Sequence, residues 1–280
     1  MSKKIAFLGP EGTYTDEAAY FYAPDGDRVP YATLSQITQA VESGEVEEAV
    51  VPIENSLAGT IIEIVDFLLN SKKTQIKGEI LLPIDHCLIA RPGVAISDIR
   101  VVKSKQEALD QCRVFLSNEL RFAEQLATTS TAAAVTNLKD DDDRSAAIGP
   151  RRSAEFARLP ILAAGIQDRQ NNVTRFAVLT SSGVAPEGSN KTSVAFDFGS
   201  PDAPGLVYGA LRPFADRQIN LTKIESRPTG KGMGNYIFLL DFDGRIDDPN
   251  VHEAINELKQ FTSTFKVLGT YPRAQGLAVR

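Results

Sequence analysis

The chain has 280 residues, 42% of them hydrophobic, and this is the length at which single cores stop growing, so we expect more than one compact unit. Its formal net charge of −6 argues against a nucleic-acid partner, because binding to phosphate backbones draws on clustered Lys and Arg. No apolar run approaches the ~18–20 residues of a membrane-spanning helix, and Cys87 and Cys112 lack a metal-ligand or disulfide spacing, so we expect a soluble cytoplasmic protein without a metal.

The chain begins with a predicted strand, turn and helix at residues 5–8, 9–13 and 16–22. The apolar start is too short for a signal-peptide core, because Gly9-Pro10-Glu11 interrupts it, so we expect no secretory address. The turn glycines allow a ligand to approach closely, and the free N–H groups of the helix can bind an anion. Any tight strand-to-helix turn also favours glycine, which leaves both interpretations open.

A second helix and a buried strand follow. Four apolar residues share one face of this helix: Leu34, Ile37, Ala40 and Val41. Thr33 or Ser35 can cap its start, and Gly44 is well placed to end it. Residues 49–51 are typical of a buried strand, and another helix is predicted after Thr60. The alternation of strands and helices predicts an α/β fold.

Polar side chains crowd the loop at residues 52–56, at the carboxyl end of the predicted strand. Open α/β sheets tend to bind ligands at this end. Asn55 and Ser56 can donate hydrogen bonds to a substrate carboxylate, but both residue types are also favoured helix caps. The start of the later alanine-rich helix poses the same alternative, since Ser130 or Thr131 can cap it or bind a ligand.

The middle of the chain continues the alternation, with predicted strands at residues 80–90, 99–102, 122–127, 146–148 and 174–179. Thr174 and Arg175 open the last of these strands, which is otherwise apolar. A buried cation needs a partner. Arg175 therefore either pairs with a core carboxylate or faces a ligand, whereas a lone Thr is ordinary in a strand.

The histidines His86 and His252 have no Cys, Asp or Ser constellation around them, and we interpret both as structural or solvated. The sequence also contains no Walker loop, no GxGxxG and no GxSxG motif. These observations argue against a nucleotide cofactor and against serine-hydrolase chemistry.

A composition break rich in Ser, Gly and Pro at residues 181–191 predicts a domain boundary. Beyond it we predict a strand, a helix, two strands, a helix and a strand, at residues 192–198, 206–215, 221–226, 236–242, 251–261 and 265–271. This βαββαβ order is typical of a ferredoxin-like α+β sandwich.

Four motifs occur in the order found in prephenate dehydratases: Gly9-Pro10-Glu11-Gly12-Thr13-Tyr14, Pro52-Ile53-Glu54-Asn55-Ser56, Asn172-Val173-Thr174-Arg175-Phe176 and Glu225-Ser226-Arg227-Pro228. Each motif alone is weak, but four in order over nearly the whole chain are specific. The chain therefore resembles this family. The resemblance implies two α/β lobes, similar to periplasmic-binding-protein folds, with the active site in the cleft between them, followed by a ferredoxin-like ACT domain.

The resemblance also implies domain limits. The catalytic domain would span residues 1–181, with lobe one at about 1–78 plus 173–181 and lobe two at about 79–172. A linker at 182–191, an ACT domain at 192–273 and a tail at 274–280 would follow.

Members of this family convert prephenate into phenylpyruvate, water and carbon dioxide in phenylalanine biosynthesis. The dianionic substrate loses its ring carboxylate and its hydroxyl as the ring becomes aromatic, so the site needs anion binding and one hydrogen-bond donor. An ordinary Asp or Glu, with a pKa near ~4, would be ionised and repel the substrate. A neutral hydroxyl avoids that, and the resemblance assigns the catalytic role to Thr174.

The remaining site residues are also carried over by resemblance. Residues that would bind or surround the substrate are Thr13, Asn55, Ser56, Gly59, Ser130, Thr131, Asn172, Arg175 and Phe176. No metal or organic cofactor is implied. The ACT domains of this family bind L-phenylalanine, which inhibits the enzyme, and the corresponding residues here are Gly205, Leu206, Asn220, Leu221, Thr222, Glu225, Ser226 and Arg227.

The predicted effector site departs from the family in one motif. Pro204-Gly205-Leu206-Val207 stands where Gly-Ala-Leu is usual, and the bulkier Leu206 and Val207 can alter the affinity for the effector. ACT domains commonly pair side by side, so we expect a homodimer or homotetramer.

Two alternatives stay open. A non-catalytic sensor could clamp a small molecule between two lobes, although the retained Thr174-Arg175-Phe176 favours an enzyme. Arogenate differs from prephenate by an amino group in place of a keto group, so the sequence also allows an arogenate dehydratase.

Overall fold

The computed structural model describes residues 3–198, 203–229 and 235–278. In this part of the chain the strands are β1 (Lys4–Leu8), β2 (Asp27–Tyr31), β3 (Glu48–Asn55), β4 (Gly59–Thr60), β5 (Gln75–Pro83), β6 (Cys87–Ala90), β7 (Val101–Ser104), β8 (Glu124–Ala127), β9 (Ser145–Gly149), β10 (Ile161–Ala164), β11 (Val173–Thr180), β12 (Lys191–Phe198), β13 (Leu221–Pro228), β14 (Tyr236–Asp243) and β15 (Thr262–Tyr271). The α-helices are α1 (Tyr14–Tyr22), α2 (Leu34–Ser43), α3 (Ile62–Asn70), α4 (Gln106–Gln111), α5 (Arg113–Glu119), α6 (Thr131–Asn137), α7 (Arg151–Ala157), α8 (Leu206–Asp216) and α9 (Pro249–Leu258).

The chain divides into two compact units. One unit comprises Met1–Ile64, Ile80–Phe176 and Gly276–Arg280, and the other comprises Val65–Glu79 and Ala177–Gln275. The division falls inside α3, β5 and β11, so each of these elements contributes residues to both units. The limits proposed from the sequence for the catalytic domain, the linker and the ACT domain stay predictions.

The first sheet contains the strands of the βα units at the start of the chain together with the later strands β5 and β11. Its strand order is β2-β1-β3-β11-β5, and the short β4 pairs with β3. β1 runs parallel to both β2 and β3, as expected where helices connect the strands. The caps of α2 are the predicted ones, because the Thr33 side chain accepts a hydrogen bond from the Gln36 N–H and Gly44 takes a left-handed conformation with φ 80°.

The second sheet has the strand order β10-β6-β9-β7-β8. Both of its faces are covered, since Leu88 and Val102 pack with α4 and α5 residues in one buried cluster, while Ile89 packs with Val135 of α6 in another. Cys87 and Cys112 are buried free thiols. The predicted α/β character of this region is confirmed.

The prediction of one strand at residues 80–90 was wrong. β5 ends at Pro83 in the first sheet, and β6 begins at Cys87 in the second. Proline has no N–H to donate to a sheet ladder, and the polar pair Asp85-His86 follows it, so the apolar run covers two strands and the crossing between their sheets. β2 and β10 were not predicted. Both lie at the edge of a sheet, where the burial pattern is weak.

The C-terminal elements follow the predicted order β12-α8-β13-β14-α9-β15. The strands form an antiparallel sheet in the order β13-β14-β12-β15, which is the ferredoxin-like arrangement. Phe196, Phe214 and Phe242 are fully buried between this sheet and its two helices. The predicted ferredoxin-like fold is therefore confirmed.

The sequence predicts no membrane-spanning helix. Within the described ranges, no helix has the length and apolar character required to cross a bilayer.

Candidate active site

Thr174 lies near the start of β11, and Asn55 lies at the end of the neighbouring strand β3. The Asn55 side-chain Nδ2 donates a hydrogen bond of 2.9 Å to Thr174 Oγ1 and one of 2.8 Å to Asn172 Oδ1. Sheet pairing thus brings together side chains that are 117 and 119 positions apart in the sequence. Thr174, Asn55 and Asn172 were all predicted as site residues, and they form one hydrogen-bonded group.

The orientation of Asn55 is determined by the backbone after β3. Its Oδ1 accepts hydrogen bonds of 2.9 Å from the N–H groups of both Leu57 and Ala58. Because a backbone N–H can only donate, the amide oxygen must face these groups and the amide nitrogen must face Thr174. Thr174 Oγ1 is therefore an acceptor in this contact. Within the residues that the structure describes, no acceptor lies in bonding range of its own hydrogen, which remains available for a ligand.

Gln111, the last residue of α4, joins this group although the sequence analysis did not single it out. Its Oε1 accepts a hydrogen bond of 3.0 Å from Asn172 Nδ2 and lies 3.0 Å from His86 Nε2. A glutamine at the end of a short helix carries no recognisable signal in a single sequence. His86 is 3% exposed, and burial lowers its pKa, against a smaller opposing effect of the Gln111 contact.

Tyr14 completes the polar group. Its hydroxyl lies 2.9 Å from His86 Nδ1 and 2.9 Å from the carbonyl oxygen of Asp85. Burial raises the pKa of Tyr14 well above its ordinary value, so the phenol stays protonated at neutral pH. Tyr14 belongs to the glycine-containing turn motif, and its contacts link that motif to Asp85 and His86, which precede β6.

A cavity of about 260 Å³ adjoins this group and is lined by Leu57, Asp110, Gln111, Gln167, Asp168, Arg169 and Asn172. Of the predicted site residues, Asn172 lines this cavity, and Thr174 does not. Thr174 is 8% exposed and is linked to the cavity wall through Asn55 and Asn172. Arg169 contributes a cation that the sequence analysis did not identify.

The cavity also has two carboxylates in its wall. Asp110 pairs with Arg113 at 2.6 Å, which lowers the pKa of Asp110. Asp168 accepts a hydrogen bond of 3.0 Å from the Val114 N–H. Both carboxylates thus have donors of their own, and these donors reduce the repulsion that the carboxylates would exert on an anionic ligand.

Several other predicted site residues have structural partners. Thr13 Oγ1 caps α1 by accepting from the Asp16 N–H at 3.2 Å and donates to the Leu8 carbonyl oxygen. Ser130 caps α6 through a 3.0 Å bond from the Ala133 N–H. Ser56 Oγ donates to Asn171 O and accepts from Val173 N–H. Ser130 thus has the capping role considered from the sequence, whereas Ser56 bonds the backbone before β11 and caps no helix. The roles of these side chains toward a substrate stay predictions.

Three further predicted site residues, Gly59, Thr131 and Phe176, lie in β4, α6 and β11. Gly59 is exposed in β4 with φ 83°, and Thr131 is the first residue of α6. Phe176 is 1% exposed and belongs to the core. Their proposed contacts with substrate stay predictions.

Arg175 has the structural partner that the sequence left open. Its Nη1 lies 3.3 Å from Glu54 Oε2, and the Arg175 side chain is 11% exposed. This ion pair connects β11 to β3, on the same two strands that carry Thr174 and Asn55. Glu54 is thus the carboxylate partner that a buried cation such as Arg175 requires.

The turn at residues 9–13 has less capacity for an external anion than its glycines suggest. The Gly12 N–H donates at 2.9 Å to Asp16 Oδ2, and the Gly12 carbonyl oxygen accepts from Ser153 Oγ at 2.7 Å. Asp16 also forms a buried ion pair with Arg152. An internal carboxylate therefore takes the Gly12 N–H that a bound anion would need.

The predicted effector residues lie in the second compact unit. Gly205 has φ 89° and precedes α8, which begins at Leu206, while Asn220 donates at 3.0 Å to Asp243 Oδ2. The others lie along β13: Leu221, Thr222, Glu225, Ser226 and Arg227. In the described part of the chain, Thr222 Oγ1 and Arg227 Nη1 are buried atoms without a hydrogen-bond partner.

Comparisons with known proteins agree with these observations. The prephenate dehydratase family profile matches residues 5–183, and the ACT domain profile matches residues 194–260. A bifunctional chorismate mutase/prephenate dehydratase from Aquifex aeolicus is 38% identical over 97% of this chain and 74% of its own length. Arogenate dehydratase/prephenate dehydratase 2 of Arabidopsis thaliana is 38% identical over 96% of this chain and 72% of its own length.

A solved structure is similar over nearly the whole chain. It is the prephenate dehydratase of Arthrobacter aurescens in complex with L-Phe, which is 36% identical, has a TM-score of 0.88, and covers 99% of this chain and 92% of its own. The motifs, the hydrogen-bonded group around Thr174 and these similarities lead to one conclusion: the chain belongs to the prephenate dehydratase family of lyases and carries a C-terminal ACT domain.

Proposed function

We propose that this chain converts prephenate into phenylpyruvate, water and carbon dioxide, with Thr174 as the hydrogen-bond donor to the departing hydroxyl. The observation that carries the proposal is the direction of the Asn55–Thr174 hydrogen bond. Since Asn55 Nδ2 donates to Thr174 Oγ1, the threonine hydrogen is left to donate to a ligand. A hydroxyl so oriented matches the single neutral donor that the reaction requires.

The chemistry needs little from the protein beyond this donor. The C–O bond to the hydroxyl and the C–C bond to the ring carboxylate break, and the electron pair of the C–C bond completes the aromatic ring. The departing hydroxide takes up one proton from the solvent and leaves as water, while the carboxylate leaves as carbon dioxide. Arg169 and the amide of Gln111 in the cavity wall are suited to hold the dianion. Thr174 does not line this cavity, and we propose its donation to the ligand from its link to the wall through Asn55 and Asn172.

Arogenate is a second candidate substrate, and the cavity wall offers one observation in its favour. Arogenate carries an ammonium where prephenate carries a keto group, and Asp110 and Asp168 in the wall would attract that cation. A relative at 38% identity bears both substrates in its name. The pairing of Asp110 with Arg113 weakens this attraction, so we place prephenate first.

A turnover assay tests the proposed function. Purified protein incubated with prephenate should form phenylpyruvate, which absorbs strongly in the ultraviolet under alkali, and kcat/KM should be higher for prephenate than for arogenate. A higher kcat/KM for arogenate would make arogenate, and not prephenate, the preferred substrate. Absence of product from both would instead support a ligand sensor and overturn the enzymatic proposal.

We also propose feedback inhibition by L-phenylalanine through the ACT domain. The Arthrobacter aurescens relative was solved in complex with L-Phe. The buried, unbonded Thr222 Oγ1 and Arg227 Nη1 are polar atoms that an amino-acid ligand could satisfy. Homodimer or homotetramer formation stays a prediction.

An ion pair between β13 and α3 suggests how binding of the effector could change the active site. Arg227 Nη2 lies 2.9 Å from Asp66 Oδ1 on α3, and Lys266 Nζ donates to the carbonyl oxygens of Leu69 and Ser71 at the end of the same helix. These contacts lie within the second compact unit. The N-terminal end of α3 follows the loop that carries Asn55, so a shift of this helix would be transmitted along the chain toward that residue.

Replacing Asp66 by Asn should therefore weaken inhibition. We expect the L-phenylalanine concentration for half-inhibition to rise about fivefold or more, which is the lower end of usual allosteric couplings. The value of kcat/KM without effector should stay close to that of the wild type, because Asp66 is half exposed. Asp247→Asn, at an exposed ion pair with Arg245 in the same unit, serves as the control. Equal inhibition of wild type and Asp66→Asn would contradict the route through α3.

A further inference from the structure

A continuous chain of side-chain hydrogen bonds runs through the first compact unit. It starts at the backbone N–H groups of Leu57 and Ala58, which bind Asn55, and passes through Asn172 and Gln111 to His86. From His86 it continues to the Tyr14 hydroxyl at 2.9 Å. His86 is 3% exposed and Asn172 is also 3% exposed, so water cannot substitute freely for these partners.

The backbone end determines the direction of each hydrogen bond made by the side-chain amides in the chain. Asn55 Oδ1 must accept, so Asn55 Nδ2 donates to Asn172 Oδ1. Asn172 therefore turns its nitrogen to Gln111, and Gln111 Oε1 accepts at 3.0 Å. Each side-chain amide has one accepting and one donating end, so no amide in the chain can be reversed without losing a bond.

This direction determines which nitrogen of His86 carries the hydrogen. Gln111 Oε1 has no hydrogen to give, so the 3.0 Å contact with His86 Nε2 is a bond only when Nε2 is protonated. In the neutral ring, Nδ1 is then an acceptor, and the single hydrogen of the Tyr14 hydroxyl is shared between Nδ1 at 2.9 Å and the Asp85 carbonyl oxygen at 2.9 Å. The His86 backbone N–H donates to Gln167 Oε1 at 2.9 Å, which holds the backbone at this residue in place. Burial lowers the pKa of His86, in agreement with a neutral ring.

We propose that His86, as the tautomer protonated at Nε2, is a positioning residue that orients Gln111 and, through Asn172, the Asn55–Thr174 pair. It does not touch the reacting atoms. With the Nδ1–H tautomer, two unprotonated acceptors would face each other across 3.0 Å, and Gln111 would have to turn over. That rotation would leave Asn172 Nδ2 without its acceptor. A buried donor without a hydrogen bond lowers the stability of the fold. The kinetic part of this inference rests on the proposed function, whereas the tautomer can be measured without turnover.

Nuclear magnetic resonance gives the direct test. The chain has two histidines, and the other, His252, is exposed on α9, so His252→Gln leaves one imidazole to observe. Long-range proton–nitrogen correlations at neutral pH should show Nε2 protonated and Nδ1 unprotonated. A signal pattern of the Nδ1–H tautomer would overturn the inference, whether or not the enzyme turns over prephenate.

Two substitutions separate positioning from packing. In His86→Gln the amide nitrogen can occupy the place of Nε2 and donate to Gln111, whereas the shorter side chain of His86→Asn cannot reach it. We expect His86→Asn to lower kcat about tenfold, with KM changed less than about threefold, and His86→Gln to recover kcat to within about threefold of the wild type. Tyr14→Phe removes the donor to Nδ1 and should lower kcat by a smaller factor than His86→Asn.

The outcomes distinguish the two proposals. Equal loss of kcat in His86→Asn and His86→Gln, with melting temperatures lowered equally, would mean that the ring only fills space and would overturn the positioning role. Wild-type turnover together with full activity of His86→Asn would overturn it as well. A wild-type protein without turnover would count against the proposed function and leave the decision on His86 to the nuclear magnetic resonance measurement.

Discussion

Replacement of Thr174 by Val should lower kcat about 10²-fold or more, with a smaller change in KM. Valine has nearly the same shape and is also favoured in strands, so β11 should keep its place. The variant removes the Thr174 hydroxyl, whose hydrogen is directed away from Asn55, and in the proposed reaction this donor would act mainly as charge develops on the departing oxygen. Loss of a donor that acts in the transition state lowers kcat more than it weakens binding of the substrate. Initial rates of phenylpyruvate formation over a range of prephenate concentrations measure both constants.

Two controls accompany this prediction. Thr174→Ser keeps the hydroxyl and should retain kcat within about tenfold of the wild type. Thr180→Val removes another buried hydroxyl from the same strand and measures the cost of such a change to folding alone. If Thr174→Val turns over prephenate at nearly the wild-type kcat, Thr174 is not the donor.

Replacement of Arg152 by Met should destabilise the protein by about 3–5 kcal/mol. Arg152 Nε lies 2.5 Å and its Nη2 3.3 Å from the Asp16 carboxylate, and the two residues are 6% and 1% exposed. Removing the arginine leaves Asp16 buried with the Gly12 N–H and a distant Arg28, whose Nε is 3.9 Å away. Arg152 also lies over the rings of Tyr20 and Phe156, and methionine keeps only part of that packing.

Urea unfolding followed by far-ultraviolet circular dichroism measures this loss, because the chain has no tryptophan to report by fluorescence. Arg212→Met is the matched control, since Arg212 pairs with Asp216 at 3.1 Å with both side chains more than half exposed, and its loss should cost less than about 1 kcal/mol. The double variant Asp16→Asn with Arg152→Met should recover part of the stability. A cost of Arg152→Met no larger than that of the control would show that the buried pair is not required for stability.

Features that depend only on residues close together in the sequence could be predicted from it. The caps of α2 at Thr33 and Gly44 follow from side-chain chemistry and glycine conformation within ten residues. The βαββαβ order follows from hydrophobic periodicities of 2 and 3.6 residues, which each segment displays by itself. The four ordered motifs were sufficient to indicate the family.

Other features required the tertiary structure, because they depend on partners distant in the sequence. Pro83 and the polar pair Asp85-His86 interrupt the apolar run at residues 80–90, but they do not show that its two halves belong to different sheets. Gln111 and Arg169 reach the cavity only because α4 and the segment before β11 converge there. The ion pair of Arg175 with Glu54 on β3 could not be predicted from the sequence, and a role of Arg175 toward the substrate stays a prediction. The sequence by itself determined most of the local elements and the family. Only folding decided which side chains bond to one another, because hydrogen bonds and ion pairs form between neighbours in space.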